Sequence, residues 1–238
     1  MLESKFWSSI IISLALIIAA SIFGSFYYYA QLADSKDVLS VTGSTKTQVV
    51  SDQAKLVIVL SRIVNVNDLS AGYVAMAKDL QQLRDLLKKF DVKDVIESPI
   101  SMDQFWGQNN DGITRYQLRQ TITIQSSDVN KITEISKQIP TLASQGAMAS
   151  VESLEYFYSQ LPNLRISLLT QAVEDAKARA EKIAQGTGRK VGSVKEASIG
   201  VVQVMSPNSV DISDYGNYDT SSINKDVMVT VRVSFRLK

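Results

Sequence analysis

Gly186, Gly188 and Gly192 bracket two cations, Arg189 and Lys190, in the stretch GTGRKVG, residues 186–192. Glycines let a backbone approach a phosphate closely and cations hold it, so the stretch raises a nucleotide site. Position argues against one. A dinucleotide fingerprint sets its glycines after a strand and at the opening of a helix. Here they follow an apolar helical pattern that runs out at Ile183 and Ala184. The expectation is a helix stop, with Gly186 or Gly188 supplying the left-handed residue and Arg189 and Lys190 at the negative end of the helix dipole. No Gly-Lys-Ser/Thr occurs, so the P-loop pattern fails too.

The chain has no cysteine and no histidine. Thiol nucleophiles, disulfides, Cys/His zinc sites and Ser-His-Asp triads are excluded. A general acid or base would be Asp, Glu, Lys or Tyr. A hydrolase built on those residues is the alternative reading, but no spacing supports it. Its mark would be a pocket with two close carboxylates or a lysine beside a serine. No catalytic residue and no cofactor is expected. Asp211, Asp214 and Asp219 are calcium candidates by type, yet they lack the EF-hand spacing and its final Glu, and a solvated acidic loop is expected. The formal net charge is +1, with no basic run, so no nucleic-acid partner is expected.

What remains is surface chemistry. Tyr215 and Tyr218 lie in the polar segment SPNSVDISDYGNYDTSSIN, residues 206–224, expected to be a mobile loop. Arg232 and Arg236 fall on one face of the last strand, with Lys238. These four, Tyr215, Tyr218, Arg232 and Arg236, are the candidate interaction surface; the plainer reading of the arginines is one solvated strand face. Phe105 and Trp106 are expected to end a strand and pack in the core.

These residues must be positioned by an interleaved set of elements. VLSVTGS (38–44) and AKLVIVLSRIV (54–64) read as strands, the second apolar on both faces and so central. Leu69, Tyr73, Met76, Leu80, Leu83, Leu87 and Phe90 form a helical stripe behind Asp68 as N-cap. Two strands, 95–106 and 113–125, flank GQNNDG, where Asp-Gly suits a turn. A helix follows with Val129, Ile132, Ile135 and Ile139 on one side, shortened by Pro140. SVESLEYFYSQ is a strand. Ile166, Leu169, Val173, Ala176, Ala180 and Ile183 make a second helical stripe, opposite a charged face on which Asp175 and Arg179 pair. VGSVKEASIGVVQVM and KDVMVTVRVSFRLK close the chain as strands. In the last, Val227, Val229, Val231, Val233, Phe235 and Leu237 alternate on one face. The fold class is α+β, with mixed or antiparallel sheets, helices packed on one face and split βαβ units.

Residues 1–33 stand apart. No charge occurs between Lys5 and Asp34. About 20 apolar residues cross a bilayer. Trp7 and Tyr27 to Tyr29 sit where interfacial aromatics belong. A retained transmembrane anchor is favoured over a cleaved signal peptide, because the apolar stretch is long and Tyr28 and Gln31 occupy positions that want small residues. The slight excess of positive charge before it places the N-terminus in the cytoplasm and the body outside the inner membrane. Residues 34–37, DSKD, are a linker, and 38–238 the exported domain.

SVTGSTKTQVVSDQAKLVIVL, ITRYQLRQTITIQSSDVNKITEI, LTQAVEDAKARAEKIAQGTGRKVGSVKEASIG and VMVTVRVSFRL, in that order, resemble the SIMPL domain of bacterial envelope proteins. The alanine-rich run from Ala172 to Gly192 is the most specific piece. The chain departs at Val50-Ser51-Asp52, where the family often has a proline before the aspartate. The resemblance implies a periplasmic or surface-facing protein, linked in some members to envelope or oxidative stress, with a tendency to large homo-oligomers. It implies no catalytic residues, and it names no small-molecule ligand. The reading is therefore a membrane-anchored assembly or interaction module, not an enzyme; a monomeric ligand-binding domain displayed on the membrane is the alternative.

Overall fold

The computed structural model describes residues 14, 16–28, 37–92, 94–106 and 113–238. Residues 16–28 are helical, with exposed side chains. Among the described residues no helix is both long and apolar enough to cross a membrane. Most of the anchor read across 1–33, the linker up to residue 36 and the Asp-Gly turn of GQNNDG lie outside them.

Two compact units share the chain. One comprises the chain up to Thr45, Ser167–Val201 and Val229–Lys238; the other comprises Lys46–Ile166 and Val202–Met228. β1 (Val38–Val50) and β9 (Asn224–Leu237) contribute residues to both.

In the first unit the strands run in the order β1-β9-β7, with β7 spanning Val191–Ile199. β9 obeys its alternation: Val231, Val233 and Phe235 are buried and Arg232 and Arg236 exposed. Helix α3 (Leu161–Gly186) packs on that apolar face. Its inward row differs from the expected stripe. Leu168, Ala172, Ala176, Ala180 and Ala184 are buried, while Val173 and Ile183 are 39% and 49% exposed and Ile166 is exposed as well. Gly43 on β1 gives the reason. A methyl group there would stand 2.1 Å from the Ala172 carbonyl oxygen and 2.7 Å from the Ala176 Cβ. Strand and helix touch backbone to backbone, so only small residues fit the seam and the larger ones turn outward. Asp175 fastens the same seam by accepting from the Ser44 backbone N–H at 2.8 Å and from Arg179 Nε at 2.8 Å. Those two donors hold its carboxyl below the usual range.

The second unit is built differently. β2 (Gln53–Asn65), α1 (Leu69–Lys89), β3 (Val95–Glu97), β4 (Ser101–Gln104), β5 (Arg115–Ser126), α2 (Val129–Gln138) and β6 (Ala149–Phe157) form a split βαβ arrangement. Strand order is β3-β5-β2-β6, with β4 also on β5, and every one of these pairings is antiparallel. β2 is central, as its two-sided apolar pattern required. The two halves of 95–106 part at Ser98-Pro99, because proline has no N–H for the ladder. α1 and α2 share one core with the sheet: Met76, Leu83, Ile132 and Ile135 meet Leu56, Ile58, Leu118 and Ile122. A short 3-10 helix, Ile139–Gln145, takes over at Pro140. β8 (Gln203–Met205) pairs with the start of β9, so the expected single strand 191–205 is two, broken around Gly200.

Phe105 and Trp106 do not enter the core: they are 36% and 85% exposed. The strand ends at Gln104 before either can turn inward.

Candidate functional site

The glycine-rich stretch is a helix stop. Gly188 has φ +71°; its N–H donates to the Gln185 carbonyl and the Arg189 N–H to the Ala184 carbonyl, at 3.1 and 2.9 Å. This crossed pair is the Schellman arrangement, and it uses the carbonyls that a helix end leaves unpaired. Arg189 then reaches Asp37 at 2.7 Å. Its charge serves the joint between α3 and β1.

The four surface candidates divide between the units. Tyr215 is 97% exposed. Tyr218 is held: its ring lies 6.2 Å from that of Phe157, and its residue bridges to Val204. Both belong to the second unit; Arg232 and Arg236, exposed along β9, belong to the first.

The segment carrying the tyrosines is tied down, and the tie escaped the sequence reading. Lys225 is fully buried. Its Nζ donates to the carbonyl oxygens of Asp219 and Ser222. The Asp219 carboxylate accepts from the hydroxyls of Ser221 and Ser222 and lies 3.7 Å from Lys225 Nζ. Burial alone would raise the pKa of Asp219; the serine hydrogen bonds and the Lys225 charge outweigh it and bring the pKa down to about 2. Burial lowers that of Lys225 against the pull of Asp219. A lysine thus stands beside a serine, but the chemistry is that of a strut. The lysine is spent on carbonyls, and a carboxylate with pKa about 2 is a poor acceptor for a serine proton at neutral pH. Asp211 and Asp214 take no part in the bonds around Asp219, and among the described residues no acidic cluster is placed to hold a metal.

Each unit carries a sizeable cleft. The first is a cleft of about 620 Å³ in the second unit, at the end of β2 and the start of α1. Arg62 and Arg115 line it with Asn65, Asp68, Val64 and Met148. Arg62 is fixed from behind by Asp79, which is fully buried: Nε and one terminal nitrogen bond its two carboxylate oxygens at 2.6 and 2.8 Å. That bidentate bond raises the guanidinium's pKa further. Asp79 sits on the buried face of α1, where the stripe read from sequence had only apolar residues, while Tyr73 is 40% exposed. The only sequence signal was an acid seven residues after Gly72 on the inward side, with Arg62 on the preceding strand.

The second feature is an apolar cleft of about 490 Å³ in the first unit, between α3 and β7. Leu169 and Val173 face Ala197 and Ile199 across Val231. β7 is an edge strand, exposed on both faces from Ser193 onward, with Val194 and Ile199 at 53% and 68%.

Fold and sites together define an α+β protein with two antiparallel sheets and prepared surfaces. The chain belongs to the SIMPL family, described as a protein of unknown function (DUF541), which matches residues 39–236. No curated protein matches it. Among solved structures it is similar to a hydantoinase/carbamoylase family amidase from Burkholderia ambifaria, at 11% identity and TM-score 0.26, over 46% of this chain and 29% of that one. It is also similar to the regulatory subunit of aspartate kinase from Thermus flavus, at 12% identity and TM-score 0.17, over 82% and 89%. A third is a putative aminohydrolase from methicillin resistant Staphylococcus aureus, at 14% identity and TM-score 0.23, over 58% and 38%. The chain thus spans under a third of the amidase's length, and likenesses this loose carry no argument about activity.

Proposed function

We propose that this protein is an interaction module of the cell envelope. Residues 1–33 hold it to the inner membrane, its body lies outside, and copies associate through the α3/β7 face of the first unit. The observation that supports this most is the bare edge strand beside the outward row of α3. Val194 and Ile199 on β7 are more than half exposed, and Val173 on α3, which lines the cleft beside Ile199, is 39% exposed. An uncovered edge strand offers unpaired N–H and C=O groups as a template for another chain. The flanking charges are of both signs, Glu174 and Lys177 on α3 and Lys195 and Glu196 on β7, which suits pairing of the face with itself about a two-fold axis. The uncharged run from residue 6 to 33 supports the anchor. A role under envelope or oxidative stress is part of this reading through the family resemblance.

Because the chain lacks cysteine, one introduced thiol is unique. Ile199→Cys in native membranes is expected to give a dimer with a short bismaleimide, and Ile96→Cys on the second unit is not. Equal yields from both would contradict the assigned face. A C-terminal tag is expected to be digested by protease added outside the inner membrane; a tag digested only from the cytoplasmic side would contradict the topology.

A further inference from the structure

We propose that two copies of the chain join strand to strand through the outer edge of β7, antiparallel and about a two-fold axis at Ser198, so that their first-unit sheets become one. This rests on self-association through the α3/β7 face and gives it a register.

The hydrogen-bond phase of β7 sets which groups are on offer. In a strand of an antiparallel sheet the N–H and C=O of one residue point to one side, and those of the next residue to the other. The Gly200 N–H donates inward, to the Thr230 carbonyl at 2.9 Å. Ser198 and Glu196 are in step with it and lie opposite Arg232 and Ser234 of β9. The N–H and C=O groups of Ala197 and Ile199 therefore point outward. Among the described residues no strand lies on that side of β7. Groups left in this state are what an added strand uses.

Regularity sets where the strands can pair. β7 slips twice in its register with β9, between Val191 and Val194 and between Val194 and Glu196. Bulges of this kind turn an edge away from a partner. From Glu196 to Gly200 the ladder with β9 is even. Opposite residues share a face and neighbours along a strand do not, so the axis of an antiparallel self-pair passes through a residue. Ser198 is the midpoint of the even stretch, and an axis there uses all of it.

The side chains agree with that register. Ser198 meets its own copy, Ala197 meets the partner's Ile199, and Glu196 meets the partner's Gly200. A small residue stands beside a large one and no like charges are opposed. An axis at Glu196 would oppose two carboxylates and run into the bulge. Ala197 and Ile199 line the apolar cleft with Leu169 and Val173. The partner's Ile199 arrives on that same side of the sheet, beside Ala197, and leaves water.

The chain has no cysteine, so Ser198→Cys supplies one thiol per copy at an exposed position. Across the axis these two positions form a non-hydrogen-bonded pair with Cα atoms about 4.5 Å apart, within the disulfide range of about 4.4–6.8 Å. Residues 197 and 199 oppose each other, so Ala197→Cys or Ile199→Cys alone leaves its two Cα atoms about 8 Å apart. The experiment is mild oxidation of the full chain in non-ionic detergent. Ser198→Cys is expected to give a disulfide-linked dimer at about tenfold the yield of either neighbour. Ala197→Pro removes an N–H that serves no bond within the chain, so its circular dichroism is expected to stay native while its mass falls to that of a single chain. No disulfide at 198, equal yields at 197, 198 and 199, or a folded Ala197→Pro protein that assembles like the native chain would each overturn the strand pairing. If Ala197→Pro does not fold, the three cysteine variants decide alone. Where the pairing fails and the bismaleimide still links Ile199→Cys, self-association through the face stands without it; where neither reagent links any variant, both fall.

Discussion

Helices α1 and α3 lie against sheets in opposite ways. α1 buries Met76, Leu83, Leu86 and Leu87 against Leu56, Ile58, Leu60 and Ile122. α3 buries Ala172, Ala176 and Ala180 against Val231, Val233 and Phe235. In the first case large residues fill the space between helix and sheet. In the second, Gly43 removes that space and small residues close the seam. The consequence is on the outside. A helix whose small residues face inward shows its larger ones to water, and α3 does so with Val173 and Ile183. The α1 unit is anchored by bulk and by the Arg62–Asp79 ion pair. The α3 unit is anchored by close approach and keeps apolar surface available.

That contrast can be broken from either side. The largest effect is expected at the ion pair. Asp79→Leu leaves Arg62 without its partner at a half-buried position and is expected to cost about 3–5 kcal/mol in urea unfolding. The double change Asp79→Leu with Arg62→Met is expected to recover most of it, since a matched apolar pair replaces a buried ion pair at little cost. Gly43→Ala is next. Its methyl meets the Ala172 carbonyl, which is backbone and cannot swing away, and a loss of about 3 kcal/mol is expected, at the upper end for overpacking. A stable Gly43→Ala protein with α3 unmoved would remove the close-approach argument.

A smaller effect comes from acid. The folded pKa of Asp219, about 2, lies below that of an unfolded aspartate, about 3.9. Its contribution is therefore fully present above about pH 4 and is lost as pH falls from about 4 toward 2. The loss is about 2 kcal/mol, and Asp219→Asn is expected to flatten this part of the pH profile. The smallest effect is expected on the outward row. Ile183 is half exposed, and Ile183→Gln is expected to change stability by less than about 0.5 kcal/mol, because the polar end of the glutamine can stay in water. A loss above about 2 kcal/mol would mean that this face supports the fold of the single chain.

The second unit was largely legible in the sequence, and its residues show why. Leu, Ile and Met at helical and alternating spacing announce a core of large side chains. The split βαβ order, the central β2 and the shortening at Pro140 all followed. The first unit was legible in its strands and its helix stop but not in the facing of α3. Hydropathy gives an isoleucine more weight than an alanine, so the stripe joins Ala176 and Ala180, which are buried, to Ile166, Val173 and Ile183, which are not. Gly43, far away in sequence, is what reserves the seam for the alanines. Asp79 and Lys225 were missed for a related reason. A charged residue is assigned outward by type, and its partner, Arg62 or the Asp219 turn, is visible only in three dimensions. Phe105 and Trp106 show the reverse: aromatic type argues for burial, but the strand ends at Gln104 and leaves both exposed.

The most direct test of self-association through the bare α3/β7 face is the mass of the full chain in detergent, by light scattering over a concentration series, beside the variant Val194→Glu/Ile199→Glu. The account predicts a discrete assembly of the native chain, constant in mass as concentration rises, and a single-chain mass for the variant with unchanged circular dichroism. A native chain that is monomeric throughout, or a variant that assembles just as well, would contradict it.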